Sequence, residues 1–183
     1  MPPLFIPIVL GTARHERQSE KVASFLFGEL KRSDGVESEI IDVKDFLSRE
    51  TVPAWVANSN VEYWRESAKR ADGFIFVVPE YNHGYPGEFK ILLDALYEEY
   101  AHKPVGVAAV SSGYFGGARA VENLLPVLVT LSMYPLKQGL YFPNITELFG
   151  ENGEMKDTTY KKQAKDFFDE LKKRAFVMRG LRV

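Results

Sequence analysis

Residues 74–94, FIFVVPEYNHGYPGEFKILLD, form the stretch that determines the fold of this chain. The stretch begins with five apolar residues rich in β-branched and aromatic side chains, which predict a strand buried on both faces. A polar turn follows, and a helical pattern then begins, with an apolar face made by Phe89, Leu92, Leu93 and Leu96. A strand, a polar turn and a helix in this order place a binding loop at the carboxyl end of a parallel strand. Because the turn carries two tyrosines, an asparagine, a histidine and a glutamate, we predict that it is a site.

Length and charge limit the class of protein. The chain has 183 residues, the size of one domain, and its 45% hydrophobic and 26% charged residues are ordinary for a globular protein. There are 23 basic and 25 acidic residues, and the net charge of −2 gives no support for binding to nucleic acid or to a membrane surface. No apolar run approaches the ~20 residues of a spanning helix, so a cytoplasmic protein is expected.

Cysteine and histidine usage exclude several kinds of site. The chain has no cysteine, which excludes disulfides, a thiolate nucleophile and Cys-ligated metal. The three histidines lie far apart in the sequence and show no metal-ligand spacing. No metal site is predicted.

Hydrophobic patterns predict five strands that alternate with helices. The strands are expected at residues 4–10, 36–43, 74–78, 104–110 and 133–142, and the helices at 20–32, 61–70, 87–100, 118–131 and 158–176. Ser19 is expected to cap the first helix, and Trp55, in the long connection 45–60, to pack over an edge. Alternation of this kind predicts a parallel sheet with helices on both faces. The predicted fold class is α/β, a flavodoxin-like three-layer sandwich whose five-stranded parallel sheet has the order 2-1-3-4-5.

Three loops should meet at one edge of this sheet. In the predicted order the ligand lies outside the carboxyl ends of the first, third and fourth strands, where the strand order reverses. The loops that follow those strands are residues 11–19, 79–87 and 111–117. Their convergence follows from the topology.

The first loop, GTARHERQS, has the chemistry of a phosphate site. It runs from a strand into a helix, where free N–H groups and the helix dipole attract an anion. Two arginines, a glutamine and hydroxyl groups could add to that site. The loop matches neither G-x-x-x-x-G-K-[ST] nor G-x-G-x-x-G. The alternative is a solvated loop whose arginines pair with acidic neighbours.

The other two loops suit a flat ring. Three glycines in residues 111–117 allow a close backbone approach, although glycine-rich loops are often only tight turns. Tyrosines and an asparagine supply aromatic edges and amide groups for a planar heterocycle, although ordinary packing would explain any single tyrosine. Together the three loops predict a mononucleotide lying across the top of the sheet.

The motifs of the three loops resemble those of the NAD(P)H-dependent FMN reductase family. They read G-T-x-R-x-x-R-x-S at 11–19, P-E-Y-N-H-G-Y-P-G-x-x-K-x-x-L-D at 79–94 and S-S-G-x-x-G-G at 111–117. The second motif is specific, the other two are supportive, and the resemblance covers nearly the whole chain. The family includes azo-dye, quinone and chromate reductases. The resemblance implies one FMN-binding domain over residues 1–183 and a homodimer or homotetramer with the flavin near a subunit interface.

The resemblance also implies which residues hold FMN. The phosphate is expected on Thr12, Arg14, Arg17, Gln18 and Ser19. The ring is expected against Pro79, Glu80, Tyr81, Asn82, His83 and Gly84, with Ser112, Gly113 and Tyr114 on the opposite loop.

The cofactor implies the reaction. The flavin would carry a hydride from NAD(P)H to a small planar acceptor such as a quinone, an azo compound, free flavin or chromate. No catalytic residue is therefore nominated, although Glu80 and His83 are titratable. Lys90 and Asp94 could form an interface salt bridge or a solvated pair. The alternatives are a flavodoxin-type electron carrier, which the near-neutral charge disfavours, and an FMN-binding regulatory protein. The acceptor and the choice between NADPH and NADH stay open.

Overall fold

The structure, a computed structural model, describes residues 2–181. Its strands are β1 Leu4–Phe5, β2 Ile8–Leu10, β3 Val36–Glu37, β4 Ile40–Asp42, β5 Phe74–Pro79, β6 Pro104–Val110, β7 Tyr134–Pro135 and β8 Leu140–Phe142. Its helices are α1 Ser19–Lys31, α2 Glu62–Arg70, α3 Gly87–Asp94, α4 Ala118–Thr130, α5 Ile145–Leu148 and α6 Thr159–Arg179. Short 3₁₀ turns cover Val43–Phe46, Ser59–Val61 and Glu98–Tyr100.

The strands form a parallel sheet in the order β4-β2-β5-β6-β7, and β8 also pairs with β6. A separate parallel pair is formed by β1, which comes just before β2 in the chain, and β3, which comes just before β4. The predicted α/β class with a parallel central sheet is confirmed, whereas the strand count and order differ slightly. Eight short strands within residues 2–181 replace the five predicted ones, and β7 and β8 share the edge position. The first break falls at Pro7, which has no N–H to continue the ladder.

The two faces of the sheet carry separate cores. On one face, α1 and α6 pack their apolar residues, including Leu26 and Phe167, against the sheet. On the other face, α2, α3 and α4 contribute Trp64, Phe89 and Leu124. Strand β5 is buried along its whole length because both layers cover it. This arrangement confirms the buried central strand predicted for residues 74–78.

Several local predictions are wrong. Helix α1 begins at Ser19 itself, and the residue before it, Gln18, occupies the cap position, so Ser19 does not cap the helix. Helix α3 ends at Asp94, because the chain tightens there and turns into the 3₁₀ segment that buries Tyr100. Trp55 does not pack over an edge, since its side chain is 87% exposed.

Within residues 2–181, the helices all lack the combination of length and apolar character needed to cross a membrane.

Candidate functional site

The three predicted loops meet at the carboxyl edge of the sheet. The register pairs Leu10 with Val77 and Pro79 with Val110, so the three strands end side by side. Backbone hydrogen bonds continue past the strand ends: the Gly11 N–H donates to Val77 at 2.9 Å. The structure therefore brings the first loop against the second, and the second against the third.

The polar turn of the second loop is a tight reversal. Tyr81 and Gly84 exchange two backbone hydrogen bonds, of 2.8 and 3.0 Å. The two residues between them, Asn82 and His83, have φ values of 50° and 66°. Positive φ at both central positions is the geometry of a type I′ turn, which Asn adopts more readily than most residues. The turn therefore presents Asn82 and His83 to solvent at its tip.

Helix α4 holds this turn from the side. The Arg119 N–H donates to Glu80 Oε2 at 3.2 Å, and the Arg119 guanidinium lies 3.8 Å from Glu80 Oε1. Asn123 Nδ2 donates to the His83 carbonyl at 2.8 Å. Because both oxygens of the Glu80 carboxylate contact Arg119, the Glu80 side chain fixes the turn against α4.

The two arginines of the first loop have different surroundings. Arg17 is buried, and its guanidinium forms a double hydrogen bond with Asp42 at the end of β4 and also donates to the Thr12 carbonyl. The hydrogen bond to Asp42 raises the pKa of Arg17. Burial alone would raise the pKa of Asp42, but the hydrogen bonds from Arg17 and the Lys44 N–H outweigh it, so that pKa is lowered. Arg17 thus supports the loop from inside.

Arg14 and Ser19 are placed differently. The Arg14 side chain is exposed, and its guanidinium carbon lies 4.8 Å from the centre of the Tyr81 ring. The Ser19 hydroxyl, in the first turn of α1, is buried without a hydrogen-bond partner in the described part of the chain. A buried hydroxyl left unpaired at a helix N-terminus suits a phosphate oxygen, because the first N–H groups of a helix also lack partners within the helix. The residues here therefore fit a terminal phosphate such as that of FMN.

Thr12 is buried, and its hydroxyl is shared within the protein. Its Oγ1 lies 2.9 Å from Glu88 Oε1 and 3.0 Å from the Tyr81 hydroxyl. The same Glu88 oxygen accepts from the Ala13 N–H at 3.0 Å. Thr12 is thus a junction between the first loop, the second loop and α3.

The third loop is anchored at its ends and open at its centre. The Gly113 N–H donates to Ser111 Oγ at 3.0 Å, whereas Ser112 and Gly113 are exposed and Tyr114 is 84% exposed. Gly117, which precedes α4, has a φ of 91°, and a Cβ there would lie 2.9 Å from the Ala109 Cβ. Only glycine lets the chain turn into α4 so close to β6.

The sequence prediction missed Glu88, Asp42, Arg119 and Asn123. A signal existed for two of them. Glu88 follows the Pro-Gly pair in the first turn of a predicted helix, and Asp42 stands at the end of a predicted strand. Within residues 2–181 there is no cluster of three or more side chains of the metal-ligating types.

A doubly wound parallel sheet with a phosphate-type loop and two ring-type loops at its switch point defines a flavodoxin-like nucleotide-binding protein. The family described as NADPH-dependent FMN reductase matches residues 6–147. This chain belongs to that family and is a flavin-dependent oxidoreductase.

Individual relatives agree with this assignment. A quinone reductase of Pseudomonas putida is 30% identical over 161 residues, which cover 84% of this chain and 86% of the relative. The NAD(P)H-dependent FMN reductase ntnL of a Nectria species is 31% identical over 159 residues, or 79% of this chain and 78% of the relative. The fold resembles that of FerB, a flavoenzyme NAD(P)H:(acceptor) oxidoreductase from Paracoccus denitrificans, with a TM-score of 0.80, 20% identity and coverage of 96% and 98% of the two chains.

Proposed function

We propose that this protein uses FMN to transfer a hydride from NAD(P)H to a small planar acceptor, with a quinone as the first candidate. The observation that carries the proposal is the unpaired, buried Ser19 hydroxyl at the start of α1, beside a loop that contacts the Tyr81 turn. These features supply a phosphate end and a ring end at one site. The quinone is favoured because the Pseudomonas putida relative is a quinone reductase.

The proposed phosphate contacts come from the first loop. Arg14, Gln18 and Ser19 would face the phosphate together with the free N–H groups of the first turn of α1. Arg17 would support the loop without contacting the phosphate, because its guanidinium is hydrogen-bonded to Asp42 and to the Thr12 carbonyl. Thr12 would also act indirectly, since its hydroxyl donates within the protein.

The proposed ring contacts come from the second and third loops. They are Pro79, Glu80, Tyr81, Asn82, His83 and Gly84 on one side and Ser112, Gly113 and Tyr114 on the other. Bound FMN would supply a ring that accepts a hydride and passes two electrons on, so the chain needs no general base. The turn is already held by α4, and preorganised backbone N–H groups can stabilise negative charge without a reorganisation cost.

A spectrum followed by a turnover assay tests the function. The purified protein mixed with FMN and passed through a desalting column should be yellow, with the absorbance of an oxidised flavin. It should then oxidise NADPH or NADH in the presence of a quinone without any partner protein. Protein that stays colourless would contradict every flavin function, and a yellow protein that reduces quinone only through a second protein would favour an electron carrier.

We further propose that two copies associate through the outer face of α3 and α4. A groove of about 970 Å³ lies on this face between the two helices and the 51–55 segment. Trp55 and Tyr97 line it and are largely exposed, and Ile91 of α3 is exposed nearby in sequence. Exposed aromatic residues around an apolar groove are typical of interfaces. A second copy would cover these side chains.

Charge favours a symmetric partner at this face. Lys90 and Asp94, which also line the groove, form an exposed ion pair within α3. In a twofold interface Lys90 of each copy can face Asp94 of the other, so the same pair is complementary to itself. Because α3 starts directly after the proposed flavin turn, this interface would lie near the cofactor. The expected cytoplasmic location is part of the proposal, and the need for a reduced nicotinamide pool supports it.

A further inference from the structure

Glu88 links the two ends of the proposed flavin site. It is the second residue of α3, where the helix dipole favours a carboxylate. Its side chain extends to the first loop, where one oxygen accepts from the Thr12 hydroxyl at 2.9 Å and from the Ala13 N–H at 3.0 Å. An acidic side chain therefore occupies a backbone donor of the loop proposed to bind a phosphate.

The hydrogen-bonding capacity of Thr12 gives this contact a direction. A hydroxyl has one proton to donate and two lone pairs to accept, and a carboxylate can only accept. The Thr12 proton is therefore directed to Glu88. Its lone pairs receive the Tyr81 hydroxyl at 3.0 Å and the Arg14 N–H at 3.2 Å. Thr12 is then saturated, and its orientation depends on the acceptor supplied by Glu88.

Two of the proposed flavin contacts meet at this junction. The backbone of Arg14 is held by Thr12, and the Arg14 guanidinium lies over the Tyr81 ring. The hydroxyl of Tyr81 is held by the same Thr12 oxygen. A change at Glu88 would release the Arg14 backbone from Thr12, although Glu88 itself is given no contact with the ligand. The Tyr81 turn would stay in place, because its own backbone hydrogen bonds and α4 also hold it.

We propose that Glu88 is a positioning residue for the flavin phosphate, acting through Thr12 and Ala13 on the first loop. This inference rests on the proposed function. Its carboxylate organises the loop before the ligand arrives, so the affinity for the phosphate should depend on the acceptor oxygen. The role requires only the acceptor oxygen. The negative charge does not contribute to it, and it would repel a phosphate.

The experiment compares FMN with riboflavin, which has the same ring and no phosphate. Dissociation constants for both are measured by flavin fluorescence on wild type, Glu88→Ala and Glu88→Gln. The ratio of the riboflavin constant to the FMN constant reports the contribution of the phosphate. In Glu88→Ala we expect this ratio to fall about tenfold, with riboflavin affinity changed by less than about threefold. In Glu88→Gln the ratio should equal or exceed that of wild type, because the amide oxygen still accepts.

Glu62→Ala is the matched control. Glu62 is likewise an acidic residue in the first turn of a helix, α2, and is exposed. It should leave the ratio unchanged. A ratio that is unchanged in Glu88→Ala, or equal losses for both ligands, would overturn the positioning role, and so would a Gln variant that behaves like Ala. A wild-type protein that binds neither flavin would instead contradict the proposed function.

A second variant covers the case in which Glu88→Ala fails to fold. Thr12→Val keeps the shape of the buried side chain and removes the hydroxyl that Glu88 holds. It should lower the ratio in the same way, and so should Glu88→Met, which fills the space of the side chain without an acceptor oxygen. The double variant Thr12→Val with Glu88→Met should lower the ratio by less than the two single losses combined. Additive losses would show that the two residues act independently and would overturn the inference.

Discussion

At the scale of single residues, Arg14 and Arg17 show how one residue type takes two roles within four positions. Arg17 is buried and forms an ion pair with Asp42, whereas Arg14 is exposed and its guanidinium lies over the Tyr81 ring. The phosphate site and the solvated loop with paired arginines were both open from the sequence. In the structure each alternative describes one arginine. Arg17 is paired with an acidic neighbour, and of the two only Arg14 keeps an exposed guanidinium.

Arg14→Ala should therefore weaken FMN binding without harming the fold. The change removes the proposed charge-assisted contact with the phosphate, worth ~1.5–3 kcal/mol, so the dissociation constant of FMN should rise about ten- to hundredfold. Titration of the apoprotein with FMN measures this constant, and thermal unfolding without FMN should give the wild-type midpoint. Unchanged flavin affinity would show that Arg14 does not contact the phosphate.

Arg17→Ala is the matched comparison and should instead lower stability. Removing one partner of a buried ion pair costs about 3 kcal/mol at neutral pH. The pKa of Asp42 is lowered in the folded state, so the pair stabilises the protein above the ordinary Asp pKa of about 3.9 and loses that effect as pH falls through the lower folded value. Unfolding by urea at several pH values should show the difference from wild type shrinking below about pH 4. A difference that persists unchanged at pH 2 would contradict this assignment.

At the scale of elements, the end of α6 is fastened to the start of the sheet. Arg179 Nε donates to Asp72 Oδ1 at 2.9 Å, and its other nitrogens donate to the carbonyls of Pro2 and Pro3. Asp72 also accepts from the Phe5 N–H at 2.9 Å. The contact joins the two ends of the described chain, and the hydrogen bond to Asp72 raises the pKa of Arg179.

Arg179→Ala should release this end of α6. Asp72 is largely buried, and the loss of one of its partners costs about 1.5–3 kcal/mol, which lowers the melting temperature by about 3–12 °C in a chain of this size. Hydrogen exchange should show faster exchange near the C-terminus of α6 and in β1. Arg174→Ala is the control, because Arg174 pairs with Glu170 on the exposed surface of the same helix and should cost less than ~0.5 kcal/mol. Equal effects of the two variants would contradict a special role for Arg179.

At the scale of the whole molecule, the outer surface of α3 and α4 differs from that of α6. Exposed aromatic residues lie beside α3 and on α6, but only those beside α3, Trp55 and Tyr97, line the groove defined above. We expect light scattering to give at least twice the chain mass of 20.8 kDa for the wild type. Tyr97→Glu should shift the protein towards the monomer, since it places a charge in the groove. Phe176→Glu on α6 is the control, because its exposed fraction of 52% is close to the 55% of Tyr97. A monomeric wild type would contradict the proposed dimer.

Much of the fold could be predicted from residue pattern alone. Short uninterrupted apolar runs such as residues 104–110 are typical of buried strands, and β6 occupies Pro104–Val110 as predicted. The residue pattern predicts the ends of strands and helices less well, because these depend on the local backbone geometry. Pro7 divides the first strand, and the helix after the Tyr81–Gly84 turn ends at Asp94, because the chain there bends to bury Tyr100.

The sequence by itself determined the three loops and their meeting point, because strand order and parallel direction bring the carboxyl ends of the strands together. Only the tertiary structure decided the role of each polar side chain within the loops. Asp42 pairs in register with Leu10, so its carboxylate reaches Arg17, and Glu88 enters the first loop from another helix. These partners are 25 or more residues away in the chain. Local spacing marks Asp42 and Glu88 as polar residues at the end of a strand and in the first turn of a helix, but it does not identify their partners, because those depend on how the strands and helices pack.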